Sequence, residues 1–242
     1  MSLSSQFKAA SVISFDVFDT LLLRNTKPEP LRFKEISTDW AKAIGNPELG
    51  KDLFYSRLLA ARISYRTIAK NLGCREAKYS HILKTVCQLN NIGVELVSDL
   101  TDAELRYETN NLKLNRALSK DLQRAVEDGK PIIAISDMYF SAEEIRRLIE
   151  HLAPELAGYK IYSSSDSGLN KASGALYEFV ANKEGLVLDS TWLHIGDNYN
   201  SDVVRAREVG LSATYTPRGR AWRFVSKFRR IATSLMYKLG SH

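Results

Sequence analysis

Short apolar runs rich in β-branched residues recur at 12–15, 132–135, 160–162, 192–195 and 213–215, with amphipathic stretches between the later ones. Alternation of this kind predicts an α/β fold, a parallel sheet with helices on both faces. The stretch after Ser136 shows how one such helix begins. Ser141 and Glu144 have capping-box spacing, and Ile145, Leu148, Ile149 and Leu152 then keep one face apolar.

Between Thr20 and Lys130 the pattern changes. A β-α-β crossover needs only about 30 residues, so this connection must hold an insertion. Its apolar positions read as helices, with Gly45, Gly73, Gly93 and Gly129 placed as C-terminal stops, and nothing in it alternates as a strand would. Thr101 and Glu104 have capping-box spacing near the start of its last helix. The organisation expected is a Rossmann-like core over residues 1–23 and 111–217, a helical cap over 24–110, and a basic C-terminal helix over 218–242.

Composition adds limits. The 242 residues, 44% of them apolar, suit a core domain with one insert. Two cysteines, Cys74 and Cys87, make neither a metal cluster nor a disulfide framework. The first apolar run is short and broken by Asp16 and Asp19, and no stretch approaches the roughly 20 apolar residues of a membrane span. A cytoplasmic protein is therefore expected.

The net charge of +6 is local. No acid follows Glu208, whereas Arg218, Arg220, Arg223, Lys227, Arg229, Arg230 and Lys238 are all basic. Without those seven, the remaining bases are slightly outnumbered by the 28 acids. In the tail, Phe224, Val225, Phe228, Ile231, Ala232, Leu235 and Leu239 follow helical spacing opposite Arg223, Lys227, Arg230 and Lys238. The expectation is one helix over 221–239 whose apolar face is covered by its own core, a partner or an anionic membrane. Nucleic acid is the weakest host, since the tail carries no recognised binding motif.

Candidate chemistry lies where apolar runs end in polar residues. Asp16 closes the first run, Ser136 the second, and Asp197 follows Trp192-Leu193-His194-Ile195-Gly196. Ligands bind at the carboxyl ends of strands in open α/β sheets, so these three residues should converge there. An unpaired buried carboxylate is costly, and two of them suit a shared Mg²⁺ ion, which takes oxygen ligands. His194, inside a strand, reads as a core group, and Tyr139 and Tyr199 as loop residues flanking the site.

Asp16-Val-Phe-Asp19-Thr20, Ser136, Lys171 in Gly-Leu-Asn-Lys and Gly196-Asp-Asn-Tyr-Asn-Ser-Asp202, in that order, resemble the motifs of the haloacid dehalogenase superfamily of aspartate-nucleophile hydrolases. The resemblance covers about residues 12–216 and implies a Mg²⁺-dependent phosphohydrolase acting on a small phosphorylated metabolite. Asp16 would be the nucleophile. Mg²⁺ would be held by Asp16, Asp197, the Phe18 carbonyl and, directly or through water, Asp202. Lys171 and Ser136 would hold phosphoryl oxygens, with Asp137 and Asn198 beside the substrate.

One position departs from the superfamily pattern. Its phosphatases carry an acid two residues after the nucleophile, where this chain has Phe18; Asp19 comes one residue later. General acid–base help is worth about 10²–10⁴-fold, so Asp19, Asp137 or the substrate would have to supply the proton. The departure keeps two other readings open. One is a catalytically weak or inactive domain that binds a phosphoryl ligand or a protein partner; the other is a dehalogenase, whose halide leaves without a proton. The form Phe-Asp-x-Phe-Asp-Thr-Leu-Leu, with Ser-Asp-Met-Tyr and Ile-Gly-Asp-Asn, resembles a subgroup linked in part to surface-polysaccharide synthesis, which points to a sugar phosphate.

Overall fold

The computed structural model describes residues 3–156 and 158–239, the last five by backbone path alone. Two compact units emerge: Met1–Leu23, Ile68–Lys78 and Lys113–Pro217 form one, and Arg24–Thr67, Tyr79–Leu112 and Arg218–His242 the other. The segment 68–78, inside the stretch read as cap, thus belongs to the sheet-containing unit, and the basic tail belongs to the helical one.

The first unit is built on seven strands: β1 (Val12–Phe15), β2 (Leu22–Leu23), β3 (Lys113–Leu114), β4 (Ile132–Ser136), β5 (Lys160–Ser163), β6 (Trp192–Gly196) and β7 (Ser212–Tyr215). Five of them make one sheet in the order β5-β4-β1-β6-β7, parallel throughout. β2 and β3 pair separately and antiparallel. All four residues of β1 are buried, as a central parallel strand covered on both faces requires. Its register sets Phe15 beside Ala134 of β4 and Ile195 of β6, so the chain leaves all three strands at one edge.

The helix after β4 runs Ala142–Leu152 with the complete capping box: Glu144 N donates to Ser141 Oγ at 3.2 Å and Ser141 N to Glu144 Oε2 at 2.7 Å. Ile145, Leu148 and Ile149 are buried, and Leu152 is half-buried.

The helical unit contains Glu29–Ala43, Gly50–Thr67, Tyr79–Leu89 and Val97–Asn111. Three of the expected boundaries are different. Thr101 lies one turn inside its helix, where its hydroxyl donates to Val97 O at 2.8 Å instead of capping. Glu104 turns inward to a fully buried pair with Arg57, at 3.4 Å, and accepts from Tyr79 Oη at 2.6 Å. Burial of the guanidinium stack selected this partner: Arg57 sits 4.4 Å over the Phe33 ring. Gly45 and Gly129 take the left-handed φ of helix stops, but after the helix ending at Leu89 that role falls to Asn91, and Gly93 is an ordinary φ −63° residue. Gly73, also left-handed, turns the chain at the Asn71–Cys74 bridge instead of ending a helix.

The C-terminal helix extends over Arg220–Leu239. In its apolar stripe Phe224, Phe228 and Ile231 are 74%, 68% and 52% exposed. Leu235 and Leu239 lie outside the described side chains. No helix among the described residues is long and apolar enough to cross a membrane.

Removing one member of a buried ion pair strands the other charge. Glu104→Ala should therefore destabilise the protein by about 3–5 kcal/mol, read as a lowered denaturation midpoint. A change within error would mean that Arg57 is neutralised by other groups.

Candidate active site

β1, β4 and β6 are adjacent, and order in the sheet reverses across them, the position beyond whose carboxyl ends open α/β sheets bind ligands. Asp16 continues the ladder one residue past β1, its N–H donating to Ile195 O at 2.8 Å. The residue is 8% exposed. Lys171, buried from another loop, places Nζ 2.6 Å from Asp16 Oδ1 and 2.7 Å from Asp202 Oδ1. Asp16, Asp197 and Asp202 each present an oxygen within 4.8 Å of the other two.

Local sequence explains why these groups meet. Gly196 ends β6 where a Cβ would lie 2.2 Å from Asp202 Oδ2, so only glycine lets that carboxylate fold back on the strand end. There it accepts from Asn198 N at 2.9 Å. Lys171 begins a short 3₁₀ turn, and its backbone N–H donates to both oxygens of Asp137 at 2.9 and 3.0 Å. Asn170 caps the same turn through Ser173 N and is itself held by Glu76 at 2.7 Å, from the inserted segment 68–78.

The other expected residues have the following contacts. The Asp137 side chain holds the Lys171 turn, and Asn198 Oδ1 caps the next helix by accepting from Asn200 N and Ser201 N. Ser136 ends β4, buried and level with Ser163 of β5. Phe18 is buried with its ring 6.3 Å from that of Phe140. Asp19 adopts φ 60°, and its N–H donates to Leu22 O at 2.8 Å. This left-handed turn ends strand alternation, and Asp19 acts electrostatically on Asp197. Thr20 Oγ1 lies 3.4 Å from Asp197 Oδ1. Tyr139 packs on Phe140 at 4.7 Å, and exposed Tyr199 meets Tyr215 at 5.5 Å.

A buried relay behind Asp202 escaped sequence reasoning. Trp192 Nε1 donates to Ser14 Oγ at 2.8 Å, Ser14 Oγ bonds His194 Nδ1 at 2.8 Å, and His194 Nε2 faces Asp202 Oδ1 at 3.5 Å. Burial pushes the His194 pKa down, so the ring is neutral. With Nδ1 accepting from Ser14, Nε2 carries the proton and points it at the carboxylate. The available signal was Ser14 itself, a polar residue in an otherwise apolar run.

Two carboxylates pair with one ammonium, and Asp197 adjoins them. Burial, together with Asp202 and Asp197, pushes the Asp16 carboxyl up to about 8 despite Lys171. Burial, Asp19 and Asp202 push Asp197 up to about 6. Burial would raise Asp202 too, but Lys171 and then His194 hold it well below the ordinary carboxylate range. The cluster is short of positive charge and rich in hard oxygen donors. That combination fits Mg²⁺, for which Asp16, Asp197 and Asp202 are the available side chains.

No protein-family model matches this chain, and no curated protein matches it either. Solved structures do. An L-2-haloacid dehalogenase from Xanthobacter autotrophicus aligns over 93% of this chain and 83% of its own with a TM-score of 0.54 at 14% identity. A 2-haloacid dehalogenase from Pseudomonas syringae pv. tomato aligns over 93% and 99%, with a TM-score of 0.53 at 15% identity. The chain has the haloacid dehalogenase-like fold. At such identities the likeness establishes the α/β architecture and leaves the chemistry to the side chains of the site.

Unfolded, Asp16 and Asp197 would titrate near 3.8. Folded without metal, they keep their protons to about 8 and about 6, so the native state binds more protons than the unfolded chain across that window. Metal-free stability should therefore fall as pH rises from about 4 to 8. Mg²⁺ competes with those protons, so its stabilisation should grow over the same range. Melting with and without millimolar MgCl₂ should show a gain of several degrees at pH 8 and a smaller one at pH 5.5. Equal shifts at both values would remove Asp16 and Asp197 from the ion's coordination.

Proposed function

We propose that the protein is a Mg²⁺-dependent phosphohydrolase that acts on a small phosphorylated metabolite through an aspartyl-phosphate on Asp16. The observation that supports this reading is the carboxylate triad around Lys171, which leaves two negative charges unmatched beside the candidate nucleophile. Bound Mg²⁺ would supply the missing positive charge and offset a phosphoryl oxygen.

The chain's own groups account for the rest. An Asp16 oxygen attacks phosphorus as the bond to the leaving oxygen breaks. Lys171, already 2.6 Å from Asp16, attracts the phosphoryl group and the ionised nucleophile into one place. The Ser136 hydroxyl, at the end of β4, donates to another phosphoryl oxygen. Water then attacks phosphorus, releasing phosphate and restoring Asp16. The leaving oxygen takes its proton from Asp19 or from the substrate, since Phe18 offers none. A sugar phosphate is the substrate class the motif resemblance favours.

Phe18 also favours a second reading, dehalogenation, because halide departs unprotonated. The triad argues against it: a nucleophilic Asp16 gains nothing from two further carboxylates unless a cation joins them.

Release of phosphate from an aryl phosphate with Mg²⁺ tests the assignment. Asp16→Asn should lower turnover by about 10³-fold or more, with folding intact by circular dichroism. Halide release from a 2-haloacid without Mg²⁺ would establish the dehalogenase instead, and inactivity on both substrates would leave a phosphoryl-binding domain.

Phe18→Asp restores an acid two residues after the nucleophile. It also removes a packed ring, at a cost of about 3–5 kcal/mol. Turnover per folded molecule should rise about tenfold or more; unchanged turnover would show that the proton already comes from elsewhere.

A further inference from the structure

The helix Arg220–Leu239 has a second surface whose chemistry the catalytic reading does not use. Phe224, Phe228 and Ile231, spaced by four and three residues, form one stripe that is 74%, 68% and 52% exposed. Single exposed apolar residues are ordinary on soluble proteins, whereas a contiguous aromatic and aliphatic stripe marks a contact surface. Arg220, Arg223, Lys227 and Arg230 flank the stripe, all exposed. The helix is held from another side: Thr233 is buried, and Trp222 Nε1 donates to Arg24 O at 3.1 Å under the guanidinium of Arg218.

We propose that this helix docks on an anionic phospholipid surface, with the Phe224, Phe228 and Ile231 stripe entering the headgroup boundary and the flanking bases meeting lipid anions. Charge selects the occupant. No acid follows Glu208, so a second copy of the helix would set like charges against each other along the stripe. A membrane surface with acidic lipids takes the rings and supplies the countercharge along the face of the helix. The proposal is independent of the reaction assigned to the sheet-containing unit.

Co-sedimentation of the full chain with vesicles of phosphatidylcholine alone, and of phosphatidylcholine with phosphatidylserine, tests it. Binding should require phosphatidylserine and weaken with salt. Arg223→Gln and Lys227→Gln should each weaken it about fivefold, and the double variant Phe224→Ser/Phe228→Ser roughly tenfold or more. Melting temperature should hold in all of them because the altered side chains face solvent. Failure to prefer anionic vesicles, or variants that bind like the parent, would overturn the proposal. So would lipid-free dimerisation that is lost in the double serine variant without any vesicle binding, which would assign the stripe to a second copy.

Discussion

One buried ammonium holding two carboxylates is the interaction on which the candidate site depends. Lys171 Nζ lies within 2.7 Å of both Asp16 and Asp202, from a loop distant in sequence from either. Such a cluster is electrostatically unfinished. With Asp197 adjoining, burial and mutual repulsion push the Asp16 and Asp197 carboxyls up, while Asp202, held by both Lys171 and His194, keeps its charge. A cluster this rich in oxygen donors and short of positive charge has the chemistry that suits a hard cation such as Mg²⁺.

The supports of this cluster are as particular as its members. Asp137 fixes the Lys171 turn through two hydrogen bonds to one N–H, and Glu76 fixes Asn170 beside it. Gly196 removes the side chain that would exclude Asp202. The Trp192–Ser14–His194 relay places a neutral ring against the same carboxylate from within the sheet. Each device orients a charge that water would otherwise solvate in many geometries, which is how a catalytic constellation avoids reorganisation during reaction. Asp19, in a left-handed turn after Phe18, shows the same economy of space: the backbone bends three residues after Asp16, so that Thr20 comes to Asp197.

Much of this was legible in the amino-acid sequence, because it follows from short-range rules. The five strands of the sheet are written as runs of β-branched and apolar residues, and the Ser141–Glu144 box as a local hydrogen-bonding pair. Asp16, Ser136 and Asp197 were recognisable as polar residues ending buried strands, and parallel strands must end at one edge. Thr101–Glu104 had the same spacing as a true box but failed as one, since a buried Arg57 from another helix offered Glu104 a partner that a helix end could not match.

Tertiary structure alone decided which charges face one another. Nothing in the spacing of Asp16, Lys171 and Asp202 states that one ammonium serves two carboxylates, or that Asp137 holds the Lys171 N–H while Asn198 caps a helix. The return of 68–78 to the sheet-containing unit and the exposure of the Phe224–Phe228–Ile231 stripe likewise depend on what packs beside them. The physical reason is range: periodicity and capping act over a few residues of one segment, whereas burial, charge pairing and the coverage of an apolar face are set by segments far apart in the chain.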